Sequence, residues 1–318
     1  RTHGRVGIGH RPWHTAFMEE CMYINHNQMA SNVANTLTSH YGNLQTSTKR
    51  LSTGLRVNSA ADDAAGLAIR ELMRTDITAL QQGVRNANDA ISLIQTADGA
   101  LGVIDEKLTR MKELAEQAAT GTYDSTQRLM IESEYQAMAS EITRIANSTD
   151  FNGIHLLNGN LSGSTHSGAA LSATGKLKVH FGTANDSAED YYYIQIGAST
   201  ASALGVGNQA TASSTTADAR TVSTQEQAQK ALVGLTNAVV SKDKIRAHLG
   251  ALQNRLENTI SNLTTQAENL QSAESRISDV DVATEMTSFV RNQILTQSSV
   301  AMLSQANSMQ QMAMQLIG

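Results

Sequence analysis

At 318 residues the chain has room for two or three domains, yet only 4% of it is aromatic and it holds one Trp and one Pro, which excludes a conventional core built on large rings and suits long helices packed on helices. A net charge of −5 without a dense Lys/Arg stripe argues against nucleic acid as the main partner. Cys21 is the only cysteine, which excludes an intrachain disulfide, and no run of about 18 to 20 apolar residues is present to form a transmembrane helix.

Residues 1–21 stand apart from the rest of the chain. They carry Pro12, Trp13, His3, His10 and His14. The irregular His spacing gives no metal tract, and Gly4, Gly7 and Gly9 follow no strand and make no dinucleotide fingerprint. The segment also lacks the apolar core of a cleavable secretory signal. From Ala34 the pattern becomes regular: Ala34, Leu37, Tyr41, Leu44, Thr48, Leu51 and Leu55 step by three and four, a heptad seam.

The stretch Arg50–Arg70, RLSTGLRVNSAADDAAGLAIR, reads as a joint between two helices. Gly54 suits a helix C-terminus. Asn58 or Ser59 is placed to cap a new helix, with Asp62 and Asp63 in its first turn. A long helix is expected from about Ala61 to Ala118, with a seam of Met73, Ile77, Leu80, Val84, Ala87, Ile91 and Ile94. The seam resumes as Ala97, Leu101, Ile104, Leu108, Met111 and Ala115, the three-residue step at Ala97 acting as a stammer. Such a rod cannot bury its stripe alone. Gly121–Asp124 turns the chain into a shorter helix with Ile131, Tyr135, Met138, Ile142 and Ile145 as its seam, and Phe151-Asn152-Gly153 is a turn.

Residues 155–223 change character. Ser, Thr, Gly and Ala dominate Gly159–Gly175 and Gly207–Thr221, and between them Lys176–Phe181 and Tyr191–Ile196 read as a small β-hairpin. Thr224 with Gln227 fits a capping box. The next helix carries Leu232, Leu235, Val239, Ile245, Leu249, Leu252, Leu256, Ile260, Leu263, Ala267, Leu270 and Ile277, enough to make a three-helix bundle. From Asn292 to Gly318 no residue is charged. Leu295, Met302, Ala306, Met309, Ala313 and Leu316 give that tail a seam with small residues that permit close approach. Ordering it costs more backbone entropy than one amphipathic helix recovers in water, so it is expected to fold only against other helices.

No catalytic constellation emerges. HExxH, GxSxG and GxxxxGK[ST] are all missing. His155, His166 and His180 lack metal-ligand spacing, Asp279 and Asp281 read as a solvated helix start, and the 12 Met fall at packing positions. The expectation is a mainly α protein, long helical-bundle or coiled-coil rods with a small β-hairpin insert, that is not an enzyme and uses no cofactor or metal. What remains is self-association through surfaces that do not close into a ring.

The joint at 50–70, Ile24-Asn25-His26-Asn27, Arg85-Asn86-Ala87-Asn88-Asp89, Asp150-Phe151-Asn152-Gly153 and the run Ala273–Ala301 together resemble bacterial flagellin, nearly everything in 22–154 and 224–318 taking part. The resemblance implies a short flagellin without large outer domains. By that resemblance the native start would be Met22 and residues 1–21 a non-native leader, residues 22–57 and 279–318 would form an inner helical domain, and 58–278 a rod carrying the hairpin region 155–223. Assembly into the extracellular filament for swimming motility would use a polymerisation seam of Leu37, Leu44, Leu51, Leu295, Met302, Met309 and Leu316. Implied partners are other copies, an export chaperone, the filament cap and hook-junction proteins, and a host innate flagellin receptor. Arg110, Leu114 and Glu134 match the Toll-like receptor contact by motif. The plant immune epitope corresponds to 50–69, with Ala61 where a Lys is usual. Export would follow the flagellar type III route without a cleaved signal. The alternatives are a hook-filament junction protein and a coiled-coil signalling or adhesin module.

Overall fold

The computed structural model describes residues 26–163, 175–186, 189–207 and 220–317. The leader expected at 1–21 lies outside them, as does His166. Six helices dominate: α1 (Gln28–Thr53), α2 (Ala64–Ala119), α3 (Ser125–Ser148), α4 (Ala201–Leu204), α5 (Gln225–Ser278) and α6 (Val282–Ile317). Four short strands, β1 (Asp150–Phe151), β2 (Ile154–His155), β3 (Leu177–His180) and β4 (Tyr191–Ile194), form two separate antiparallel pairs, β1–β2 and β3–β4. The chain divides into two compact units, one made of Arg1–Leu67 with Ile277–Gly318, the other of Ala68–Arg276.

In the first unit α1 and α6 run antiparallel. The Asn27 amide donates to the Ala306 carbonyl at 3.1 Å near one end, and Arg50 lies 3.6 Å from Glu285 near the other. The joint closes this pair. Gly54 adopts φ 71, a left-handed conformation that glycine reaches without penalty, and its N–H donates to the Arg50 carbonyl. Leu55 then bridges Asp279, and Val280 N–H donates to the Gly54 carbonyl at 3.0 Å. Helix α2 starts at Ala64, three residues later than the expected Ala61. Asp63 is the residue that caps it, accepting from Gly66 N–H at 2.9 Å. The Asp62 carboxylate turns back to the N–H groups of Asn58 and Ser59 at 3.1 and 3.0 Å, which holds 59–62 as a turn rather than a helix.

The second unit is built on one core. Ala97, Leu101, Ile104, Leu108 and Met111 of α2, Tyr135 and Ile142 of α3, and Leu235, Leu249 and Leu256 of α5 are all fully or nearly fully buried in it. The expected three- and four-residue spacings put one face of each helix inward, so three amphipathic stripes share one interior. Met138, Leu232 and Ile260 pack on its margin, while Val84 packs on a smaller separate cluster of Leu80, Phe181 and Leu263. The Asn152–Gly153 turn between β1 and β2 has φ 52 and 78, the pair of positive angles a tight hairpin needs.

Strands β3 and β4 pair Leu177 with Ile194 through His180 with Tyr191. They reach α2 where it carries Gly83: a Cβ there would overlap the Phe181 carbonyl. One turn on, the Asn86 amide donates to the His180 carbonyl at 2.8 Å. From α5, the Arg255 guanidinium lies 3.6 Å over the Tyr192 ring. The Thr224–Gln227 box forms by half. Gln227 N–H donates to Thr224 Oγ1 at 3.3 Å, but the Gln227 side-chain oxygen accepts from the hydroxyls of Thr221 and Ser223 instead of completing the box. A box that the sequence pattern did not single out opens α3, where Asp124 N–H donates to Gln127 Oε1 at 3.1 Å.

Candidate assembly surface

The α1–α6 pair distributes its residues in an unusual way. Small and polar side chains fill the seam. Ser47 on α1 and Thr296, Ser299 and Ala306 on α6 are buried, and Leu37, His40, Leu44, Leu51 and Leu303 are half-buried around them. On α6 the inward positions 292, 296, 299, 303, 306 and 310 keep heptad steps. The large apolar side chains one position away face out. Met302 is 61% exposed, and Met286, Val290, Ile294, Leu295, Met309 and Met312 are exposed as well. On α1, Met29 and Tyr41 also face out.

The seam expected from the sequence is therefore split. Leu37, Leu44 and Leu51 lie at the α1–α6 contact. Leu295, Met302 and Met309 lie outside it, and the Leu316 side chain is beyond the described residues. Tyr41 and Thr48 give way to His40 and Ser47 in the seam. Either set satisfies three-four spacing; small Ser47, Thr296 and Ser299 permit the close approach, and bulky Tyr41 does not. An extended apolar face left in water on a helix pair marks a surface awaiting a partner. Asp281 holds the start of α6, accepting from Ala283 N–H at 3.0 Å and the Thr284 hydroxyl at 2.8 Å, and the Thr284 bond leads the contacts that draw its pKa below the usual carboxylate range.

On the rod, Arg110 meets Glu134 at 2.8 Å and Glu113 at 2.9 Å on an exposed face. The Glu134 hydrogen bond is the main cause of the raised Arg110 pKa. Leu114 is only 1% exposed. It stands three residues after Met111 and four before Ala118, both buried, so it belongs to the inward stripe and not to a surface with Arg110.

Among the described residues no group of three or more His, Cys, Asp or Glu is placed to hold a metal ion, and no helix is long and apolar enough to cross a membrane. Sequence pattern alone missed Gly83 and Asn86, which seat the β3–β4 hairpin, and Lys242, which sits inside the α5 stripe. The signal for Lys242 was there: 235, 242, 249, 256 and 263 are seven apart, and four of the five are Leu.

Comparison with known proteins bears on the same segments. The bacterial flagellin N-terminal helical region matches residues 24–162, and the bacterial flagellin C-terminal helical region matches 232–317. The chain is 40% identical over 296 residues to the flagellar filament 33 kDa core protein of Treponema phagedenis. It is 43% identical over 309 residues to the flagellin of Bacillus subtilis (strain 168). Each alignment spans 93% of this chain and 100% of the relative. Among solved structures, Bacillus cereus flagellin aligns with a TM-score of 0.43 and 28% identity, over 60% of this chain and 94% of that one.

Proposed function

Because this chain belongs to the bacterial flagellin family and is a structural subunit of the extracellular flagellar filament, not an enzyme, we propose that it polymerises through the outward apolar face of its α1–α6 pair. The observation that carries this reading is the distribution in that pair: the fully buried positions are Ser47, Thr296, Ser299 and Ala306, Leu37, Leu44, Leu51 and Leu303 are only half-buried, and a row of Met, Val, Ile and Leu stays exposed. A self-sufficient two-helix hairpin would bury that row. Leu295, Met302, Met309 and Leu316 then contact neighbouring copies, while Leu37, Leu44 and Leu51 hold α1 on α6 in register. An assembly of this kind extends without closing when the two faces that meet differ and the rotation between copies does not bring the ends together.

In this reading 22–57 and 279–318 act as the inner domain, and 58–278 as the rod. An export chaperone shields the apolar face of the C-terminal helix before assembly, export proceeds by the flagellar type III route without a cleaved signal, and cap and hook-junction proteins meet the same terminal helices. For the host innate receptor, the contact reduces to the exposed Arg110 and Glu134, with Leu114 supporting the α2 face from within.

The test is seeded polymerisation of purified monomer, with a truncation ending at Arg291 beside the intact chain. Filaments from the intact chain and none from the truncation are expected by electron microscopy. A discrete soluble oligomer, unchanged by the truncation, overturns the reading in favour of a signalling or adhesin module.

A further inference from the structure

Two helices with uniform three-four apolar stripes do not by themselves fix their mutual register. Sliding one past the other by a heptad, about 10 Å at 1.5 Å per residue, returns apolar residues to apolar residues. Helices α2 and α5 carry such stripes over much of their length. At the α5 core positions seven residues apart, Leu235, Leu249, Leu256 and Leu263 are interrupted once, by Lys242. Lys242 is only 1% exposed. Its ammonium donates to Asp105 of α2 at 2.6 Å and lies 2.7 Å from Asp243 of its own helix. One turn further on, Arg246 grips Asp98 of α2 with two hydrogen bonds, at 2.7 and 3.1 Å. The two pairs run antiparallel, so a heptad slip one way carries Lys242 from Asp105 to Lys112, and the other way carries it to Asp98 while leaving Arg246 opposite Ile91. Asp243 travels with Lys242, so what a slip removes is the cross-helix carboxylate of one cation, and a buried cation deprived of such a partner is disfavoured.

We infer that Lys242 is the register-setting residue of the subunit: it selects one pairing of α5 on α2, and so the single outer surface that each copy offers to its neighbours in the filament. This rests on the self-polymerisation described above. A buried polar residue at one core position fixes register at some cost in stability. Replacing it by a well-packed apolar residue is then neutral or stabilising for the fold while register is lost, which separates this role from simple structural support. Asp105 and Asp243 are partly exposed, so removing the ammonium leaves no carboxylate stranded in the core.

The experiment compares Lys242→Met with the unaltered chain in three readouts: monomer melting temperature, growth on seeds of the unaltered chain, and filament helical repeat by electron cryo-microscopy. The expected result is a melting temperature equal to or above that of the unaltered monomer, loss of growth on the seeds, and more than one repeat in self-assembled filaments. Growth on the seeds at the unaltered rate, with a single unaltered repeat, overturns the inference. Should Lys242→Met melt far lower, the same readouts are taken on Lys242→Met combined with Asp105→Asn, which removes charge from both helices, and the same two outcomes decide. Failure of the unaltered chain to grow on its own seeds would sink the polymerisation reading itself, a result distinct from either.

Discussion

The two units of this molecule solve the same problem, packing long helices, in opposite ways. The rod unit hides its large side chains. Leu101, Ile104, Leu108 and Met111 have no measurable exposure and share one interior with α3 and α5. The α1–α6 pair fully hides only small and polar residues such as Ser47, Thr296, Ser299 and Ala306, leaves Leu37, Leu44, Leu51 and Leu303 half-buried, and exposes a row that includes Met286, Val290, Ile294, Met302 and Met309. Burial of apolar surface stabilises by about 25 cal/mol per Å², so the rod holds its own folding energy while the pair has left most of its share unspent. On the proposed assembly, the difference separates the part of the subunit that is complete alone from the part that other copies would complete.

The sharpest way to break that contrast is to charge the exposed face. Met302→Glu with Met309→Glu is expected to abolish filament growth, because each carboxylate would be desolvated at a contact between copies. The monomer's melting transition should stay where it is, since neither side chain is in a core. Loss of the monomer transition as well would mean that the face is already covered within one chain.

A smaller effect separates the two interiors. Ile104→Ala empties a fully enclosed site and should cost about 2 to 5 kcal/mol in denaturant unfolding of the monomer. Leu44→Ala removes a half-buried residue beside small neighbours, and should cost well under half of that in the same measurement. Equal losses would show that the pair is as tightly built as the rod. Between these lies Gly83→Ala, where the added methyl meets the Phe181 carbonyl. Alanine is the better helix former by about 1 kcal/mol. The substitution is nonetheless expected to lower stability and to free the β3–β4 hairpin, seen as faster amide exchange at Leu177–His180, while α2 itself keeps its protection.

How far the fold could be read from the sequence follows the same division. The rod stripes were legible because burial there is what three-four spacing of apolar residues reports, and Gly54 and the 50–70 joint were legible because glycine at a helix end has one common use. The α1–α6 seam was legible only in part. Hydrophobicity points Leu295, Met302 and Met309 inward, and they face out, as the proposed assembly through that face requires. Periodicity is also blind to one-residue rotations, which is why His40 and Ser47 stand where Tyr41 and Thr48 were expected. Lys242 was legible as the one charge in a row of leucines seven apart, but its role was not: a charged residue at a core position looks like a lapse in the stripe until Asp105 is brought from α2. Gly83 and Asn86 answer to a hairpin about 95 residues further along the chain, a contact no local pattern encodes. Leu114 stands at an inward spacing, three residues after Met111, but the expected seam continues to Ala115 and the motif places Leu114 in a surface contact with Arg110 and Glu134, whereas it is buried.

The smallest effect uses pH to touch the rod and spare the charge-free stretch of α6. The hydrogen bond from Arg246 is the main reason the Asp98 carboxyl titrates below its ordinary 3.8, with burial opposing it. A carboxylate whose folded pKa is depressed adds stability that is fully present above the ordinary value and is lost as pH falls through the folded one. Lys242 is the counterpart. Burial works against its charged form, but the bonds to Asp105 and Asp243 outweigh that and raise its pKa above the ordinary 10.5. Its contribution is therefore present at neutral and acid pH and is lost only at high alkalinity. Asp98→Asn should accordingly lower the monomer's melting temperature slightly at pH 7, and the gap should close only as pH falls below the ordinary 3.8 and through the depressed folded value, where the native carboxylate takes up its proton. Because Asp98 is 42% exposed and screened by solvent, the gap should stay within a few degrees. A gap independent of pH would show that Asp98 matters to α5 through shape and not through charge, and the register of α5 on α2 would then depend on Lys242 alone.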